Sequence, residues 1–315
     1  CLAVGGGVMI VLTRMNEILE INLRDRYAIV QPGVVNVWLT QALKGSGYHY
    51  APDPSSQGAC TIGGNVATNS GGPHTLKYGV TVNHVLGIEA VLADGRIVQM
   101  GGPAEESPGL DLVGTIVGSE GTLAIVTKVW VRLTQNPQGY RTLLGIFESV
   151  EDATSAISEI IGAGIVPAAL EMMDQGILVA VEEAFQFGFP LDAQAILLIE
   201  VDGFEVSIED TTAAIIRICE RNDSYEIQVA QDEEQRDRLW LGRKGAFGAM
   251  GRISPDMIVM DAVIPRTRLP EVLTRIDEIS EQFDLKVANV FHAGDGNLHP
   301  LILFDSRNED QVERI

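Results

Sequence analysis

Residues 52–72 read PDPSSQGACTIGGNVATNSGG, a composition that strongly disfavours a regular element. Gly58, Gly63, Gly64, Gly71 and Gly72, with Asn65 and Asn69, supply positions where a positive φ costs little. The sequence therefore predicts irregular backbone over residues 52–79, well beyond the roughly 12–15 residues above which loops are usually functional or disordered. Successive amides in such turns form nests for anions, and absent side chains let a ligand approach the backbone. A pyrophosphate suits that chemistry, and a purely structural surface loop explains the segment about as well. The segment is neither G-x-G-x-x-G after a strand nor G-x-x-x-x-G-K-[ST]. A second turn, GSEG at 118–121, leads into TLAIVT and is placed to bring further amides to the same ligand.

Around this segment the first half reads as strand and loop. VMIVLTRM (8–15) and RYAIVQPG (26–33) are expected as strands, and VVNVWLTQALKGSG (34–47) as an amphipathic helix ending at glycine. VLGIEAVLADGRIVQM (85–100) reads as a hairpin turning at Asp94-Gly95. TLAIVTKVWVRLT (122–134) closes the half as a long strand. After the Pro/Gly break NPQGY (136–140) the punctuation changes. Strands RTLLGIFES, AILLIEVDG, YEIQVAQ and MIVMDAVIP alternate with the helices VEDATSAISEIIGAG, VSIEDTTAAIIRICERN and RLPEVLTRIDEISEQF. That alternation predicts helices layered on a sheet. With 315 residues, two domains are expected, 1–136 and 137–315. The fold class is α/β or α+β on this reading.

Charge excludes some functions. The net charge of −21 comes without a basic run, which argues against nucleic acid, because phosphate binding needs clustered Lys and Arg. Cys1, Cys60 and Cys219 are odd in number and scattered, as in a reducing compartment rather than a disulfide framework. No apolar run approaches the roughly 18–20 residues of a membrane-spanning helix.

The segment FHAGDGNLHP (291–300) carries two of the chain's five histidines. LKVANVFH before it and LHPLILFD after it read as strands. With residues 294–297 as a four-residue loop, Ala293 pairs with Leu298 and His292 lies opposite His299. Cross-strand partners point to one face about 4.5–5.5 Å apart at Cβ, within reach of one divalent ion. Two hydrogen-bonded surface histidines are the simpler alternative, since a metal site wants three or four protein ligands.

Six segments taken in order, PDPSSQGACTIGGNVATNSGG, LKYG, GSEGTLAIVT, ALEMMD, LWLGRK and FHAGDGNLHP, resemble the flavin-dependent 2-hydroxyacid dehydrogenases of the vanillyl-alcohol-oxidase type, in the branch of glycolate oxidases and D-lactate dehydrogenases. The resemblance spans essentially the whole chain. It implies an FAD-binding domain of two α+β subdomains (the PCMH type, here partial) and a ferredoxin-like α+β substrate domain. It further implies FAD contacts at Pro52, Ile62, Gly63, Gly64, Asn65, Thr68, Asn69, Gly71 and Gly72. Gly118, Glu120, Gly121 and Ile125 are implied to lie against the flavin or its adenosine. His292 and His299 are implied metal ligands, for zinc, manganese or iron. The family's third ligand, a Glu in a Gly-Glu-His-Gly motif, does not occur before Ile315 and is expected beyond it, as the first diphosphate loop is expected before Cys1.

The activity implied is oxidation of a small (D)-2-hydroxy acid, glycolate or D-lactate, by hydride transfer to flavin with a divalent metal assisting. Asn297 is expected to hydrogen-bond substrate and Arg243 to meet its carboxylate, with Lys244 and Arg252 as fallbacks; a helix-surface salt bridge to the acidic run DEEQRD before it is the alternative for Arg243. The hydroxyglutarate branch carries a lysine on the strand matching MIVMDAVIP, and its absence here leans towards a monocarboxylate. Glu171 is expected either behind a histidine or as an ordinary strand-end carboxylate, and Met172 and Met173 in the core. His49, His74 and His84 are expected to be structural, with His74 in reserve near the cofactor segment, and Cys60 to pack near the flavin. An iron–sulfur electron-transfer subunit is the implied partner, and the location cytoplasmic or peripheral at the inner membrane face. The rivals are a non-catalytic flavin-fold subunit and a metal hydrolase built on the hairpin.

Overall fold

The computed structural model describes residues 5–103 and 109–315, so Cys1 lies outside the described residues. The chain divides into two compact units, Cys1–Asn136 and Pro137–Ile315.

In the first unit the order is β1 (Ile18–Asn22), β2 (Tyr27–Val30), α1 (Asn36–Ala42), β3 (Tyr48–His49), α2 (Ile62–Thr68), α3 (Thr75–Tyr78), β4 (Val85–Leu92), β5 (Ile97–Gly101), α4 (Leu112–Ile116), β6 (Ala124–Arg132) and β7 (Thr134–Gln135). An antiparallel sheet runs β1-β2-β6-β4-β5. Alternation along each strand gives it a dry face: Ala28 and Val30, Ile88 and Ala90, Val129 and Val131 are all fully buried. Leu39 of α1 and Ile62 and Val66 of α2 join that core. The β4–β5 hairpin turns at Gly95, whose φ of +84° suits the residue expected there.

Two expectations fail in this unit. Residues 8–15 form no strand, and Val8, Met9, Ile10 and Val11 are exposed. Strand propensity needs a cross-strand partner to act on, and the backbone bonds of this stretch are a turn, Met15 N–H to Leu12 O, and one from Gly33 N–H to Met15 O. Conversely, residues 52–79 are not irregular throughout, because α2 and α3 lie inside them. Thr61 caps α2 by accepting from the Gly64 amide at 3.2 Å, and Asn69 ends it in the left-handed conformation at φ 50°. Ile62 and Val66, one turn apart, hold the helix down. Burial outweighs the low helix propensity of Gly63 and Gly64.

The second unit runs β8 (Gly139–Phe147), α5 (Val150–Gly162), β9 (Ala169–Asp174), α6 (Gln175–Phe185), β10 (Ala195–Gly203), α7 (Glu205–Arg221), β11 (Ser224–Val229), α8 (Glu233–Met250), β12 (Asp256–Val259), β13 (Ala262–Val263), α9 (Leu269–Phe283), β14 (Lys286–Phe291), β15 (Asn297–Leu298), β16 (Pro300–Phe304) and α10 (Glu309–Arg314). Its main sheet is ordered β11-β8-β10-β9-β14-β16-β12. The first four strands pair antiparallel. That is the ferredoxin-like β-α-β-β-α-β order, with α6 set into the β9–β10 connection. Ile196 and Leu198 of β10 share a core with Ile177 and Val181 of α6 and Trp240 and Ala246 of α8.

The stretch MIVMDAVIP, expected as one strand, is two: β12 pairs with β16 and β13 with β15. Helix α6 was not expected, and α8 only under the helix-surface alternative for Arg243. Glycines at 242, 245 and 248 lower the helix propensity of α8, yet two of them admit neighbouring rings: a Cβ on Gly242 would stand 3.0 Å from the Phe189 ring, and one on Gly245 2.8 Å from the Phe185 ring.

Candidate active site

The hairpin at residues 291–300 is built, but in a different register. His292 pairs with Asn297, exchanging both backbone bonds, and Asn289 pairs with Pro300. The loop is therefore residues 293–296, and His292 does not face His299 directly. A slip of two residues keeps every side chain on its own face, so the histidines remain together diagonally. Their ring centroids are 5.1 Å apart, edge to face at 88°. Glycine makes the turn possible: Gly296 has φ +78°, and a Cβ there would stand 2.2 Å from Ile264 O.

Strand β9 supplies the anchor. Phe291 pairs with Met172, so one step further His292 meets Glu171. His292 Nδ1 lies 2.8 and 2.9 Å from the two Glu171 oxygens. Glu171 side-chain exposure is 0%. Helix α8 brings Arg243 to the same carboxylate, with Nη2 2.5 Å from Oε2 and the guanidinium fully buried. Nε, Nη1 and Nη2 are buried, and none has a hydrogen-bond partner among the described residues. The reading of Arg243 as a helix-surface salt bridge is thus overturned. On the same face of α8 lie Arg236, Trp240 and Phe247 (positions i, i+4 and i+11 from Arg236); Phe247 packs edge-on to His299 at 6.1 Å. Asn297 Oδ1 is buried without a hydrogen-bond partner among the described residues, and Asp261 stands 3.6 Å from His299 Nδ1 with its side chain 71% exposed.

These surroundings split the two imidazoles. Burial by itself would lower His292, but the facing Glu171 carboxylate overrides it and holds the ring above its ordinary value. Burial lowers His299, and the neighbouring His292 adds to that. Burial also raises the Asp295 carboxyl in the loop. Among the described residues no three His, Cys, Asp or Glu side chains are arranged to hold a metal ion.

In the first unit the two glycine-bearing segments meet. Gly118 and Glu120 N–H donate to Val66 O and Ala67 O at the end of α2, both at 2.8 Å. Glycine at 118 sits at φ +82°, and Glu120 and Gly121 also have positive φ. Three amides of the segment are engaged by the protein itself: those of Ile62 and Gly63 donate to Val34 O and Pro32 O, and that of Gly72 to Thr75 Oγ1. Gly63 and Gly72 are small for the protein's own sake, since a Cβ would meet Pro32 Cβ at 2.5 Å or the Asp53 backbone at 2.6 Å. What the segment does offer is surface. Gly64 and Thr68, one turn apart on α2, are exposed beside Gly118, Glu120 and Gly121.

Asn65 is 2% exposed, and its Nδ2 is a buried donor without a hydrogen-bond partner among the described residues. Asn69 Oδ1 accepts from Val82 N, and Pro52 O from Asn36 Nδ2. Ile125 lies on β6 opposite Val91. Gly71 is crowded by Thr75 Oγ1, 2.7 Å from where its Cβ would be. His49, His74 and His84 have protein partners in Asn136, Asp53 and Tyr78 O.

Residues 136–315 match the family described as FAD linked oxidases, C-terminal domain, and residues 2–101 match FAD binding domain. The chain belongs to the FAD-linked oxidases. It is 50% identical over 308 residues to glycolate oxidase subunit GlcD of Escherichia coli K12, covering 98% of this chain and 62% of that one. Identity is 42% over 311 residues to the Bacillus subtilis subunit of that name, covering 98% and 66%. It is 32% over 323 residues to a D-lactate dehydrogenase of Anaerostipes hadrus, covering 99% and 67%. The chain thus spans about three fifths to two thirds of the length of these relatives. Among solved structures, alkyldihydroxyacetonephosphate synthase superposes with TM-score 0.76 at 19% identity, over 96% of this chain and 62% of that one. p-Cresol methylhydroxylase with substrate bound gives 0.76 at 16%, over 96% and 67%. These likenesses establish the PCMH-type FAD-binding α+β fold.

Within an FAD-linked oxidase, the orphaned Asn65 donor and the open surface at Gly64 and Gly121 fit a bound cofactor. The two imidazoles on one face, one of them anchored through Nδ1, fit two ligands of a divalent ion. Glu171 joins the cluster by a strand pairing that single-sequence reading does not show. The spacing of Arg236, Trp240, Arg243 and Phe247 was a legible sign that Arg243 turns inwards.

Proposed function

We propose that this chain is the flavin-binding and substrate-binding part of an enzyme that oxidises a small (D)-2-hydroxy acid, glycolate or D-lactate, to the 2-oxo acid. The observation that carries the reading is the buried cluster in which Glu171 joins Arg243 to the imidazole pair, in a chain 50% identical to a glycolate oxidase subunit. We take residues 1–136 as the FAD domain and 137–315 as the substrate domain. The FAD contacts are Pro52, Ile62, Gly63, Gly64, Asn65, Thr68, Asn69, Gly71, Gly72, Gly118, Glu120, Gly121 and Ile125.

Bound FAD supplies the hydride acceptor. His292 and His299 would hold a divalent ion, which supplies Lewis acidity and a template for an α-hydroxy carboxylate. The chain's own residues do the rest. His299, lowered by burial, presents a neutral imidazole at neutral pH. Asn297 Oδ1, lacking a hydrogen-bond partner among the described residues, is an acceptor for the substrate hydroxyl. Arg243 places a positive charge under the hairpin, and its unmade hydrogen bonds favour an anion nearby. Since that guanidinium is sealed, a direct bond to a carboxylate requires the hairpin or the Glu171 contact to yield.

Relatives named as subunits support an assembly, and we assign electron removal to an iron–sulfur subunit. Among the described residues no helix is long and apolar enough to cross a membrane; we place the enzyme in the cytoplasm or peripherally at the inner membrane face. The test is anaerobic mixing of the full-length protein with glycolate, D-lactate, L-lactate and D-2-hydroxyglutarate while its visible flavin absorbance is followed. Bleaching by glycolate or D-lactate is expected. A bound flavin that none of them bleaches would favour the non-catalytic subunit instead.

A further inference from the structure

We infer that Glu171 is a positioning residue, whose carboxylate decides which nitrogen His292 turns to the site. The inference deepens the proposed function and rests on it only for the consequence to metal affinity. An ionised carboxylate only accepts hydrogen bonds, so His292 Nδ1, 2.8 and 2.9 Å from its oxygens, carries the hydrogen and donates. Nε2 then keeps its lone pair and points away from Glu171. Both oxygens are within reach of the one ring nitrogen, and Glu171 is sealed from solvent, so competition from water is absent. Strand pairing fixes the geometry: β14 carries His292 to a point opposite Glu171 of β9, and Gly294 N donates to Leu170 O at 3.0 Å just beyond.

His299 differs. The carboxylate paired with its Nδ1 among the described residues is Asp261, at 3.6 Å and largely in solvent, beyond hydrogen-bond range. One imidazole of the pair is therefore pre-set and the other adjusts. The competing role for Glu171 is as counter-ion to Arg243, holding α8 down with no effect on the ring. The two roles separate when both charges are removed together, because no uncompensated buried charge is then left to unfold the site.

The test uses full-length protein with 15N-labelled histidine, metal-free and at a pH above the titration of His292, read by long-range proton–nitrogen correlation. Zinc alone is then titrated. The wild type is expected to show Nδ1–H at His292. The double variant Glu171→Leu with Arg243→Met is expected to lose that tautomer and to bind zinc about 10–100-fold more weakly, the usual cost of removing an outer partner of a ligating histidine. Glu171→Gln with Arg243→Met, which retains an acceptor oxygen, is expected to restore the tautomer. An Nε2–H ring in the wild type overturns the inference, and so does a Glu171→Leu double variant that keeps the wild-type tautomer. A wild type that binds no zinc contradicts the metal reading alone, and the tautomer still decides the role of Glu171.

Discussion

Arg243 shows how burial changes what a charged residue means. In the sequence it follows an acidic run and reads equally as surface; in the fold it is sealed against Glu171. Breaking a buried pair by removing one partner leaves the other charge uncompensated, at about 3–5 kcal/mol. Arg243→Met should therefore lower unfolding stability in urea by that order, while adding Glu171→Leu should recover most of it. A single variant as stable as the wild type would mean the pair is not buried in solution. The histidine pair was legible because a two-residue periodicity survives a register slip of two. The register was not, because strand composition does not determine which residues close the loop. The glycine segment was legible as unusual, but its amides turn to protein carbonyls at Pro32 and Val34, and a single sequence shows no such partners.

At the level of elements, α8 is held from two adjacent strands. Glu200 of β10 receives Arg236 Nε and Nη2 at 2.8 and 2.7 Å and Trp240 Nε1 at 2.8 Å, and Glu171 of β9 forms an ion pair with Arg243. The glycines of α8 should answer differently to alanine. Gly248 has nothing within 4 Å of an added Cβ, so Gly248→Ala should stabilise by about 1 kcal/mol through helix propensity. At Gly242 the added atom meets Phe189 and Phe187 at 3.0–3.2 Å, and Phe189 is buried at 7%. Overpacking of about 1–3 kcal/mol should outweigh the propensity gain there. Equal shifts of the urea midpoint for the two variants would contradict this packing.

Helix α6 adds a pH test. Asp174 caps it through Ile177 N and receives Asn289 N and Nδ2. Although part of the residue reaches solvent, burial pushes its carboxyl from 3.8 up to about 6. An acid raised in the fold holds its proton longer there than in the unfolded chain, so its contribution favours folding at low pH. That contribution is lost as pH rises from about 4 through about 6. Wild-type stability minus that of Asp174→Asn should fall across this window; a flat difference would show an ordinary carboxyl.

Across the whole molecule, strand–helix alternation made the layering of helices on a sheet in the second unit readable, since each element there packs through its own periodicity, whereas its ferredoxin-like order was implied only by the family resemblance. The exposed stretch at residues 8–11 and helix α6 were not readable, because cross-strand pairing and tertiary packing decide them. The account turns on paired imidazoles serving 2-hydroxy acid oxidation in an FAD-linked oxidase. Its most direct test is dye reduction by full-length protein supplied with glycolate or D-lactate, before chelation, after it, and after restoring the divalent ion. Turnover that collapses on chelation, returns with the metal, and is absent together with bound metal in His292→Ala is the expected result. Undiminished turnover in the chelated protein, or in His292→Ala, would contradict it.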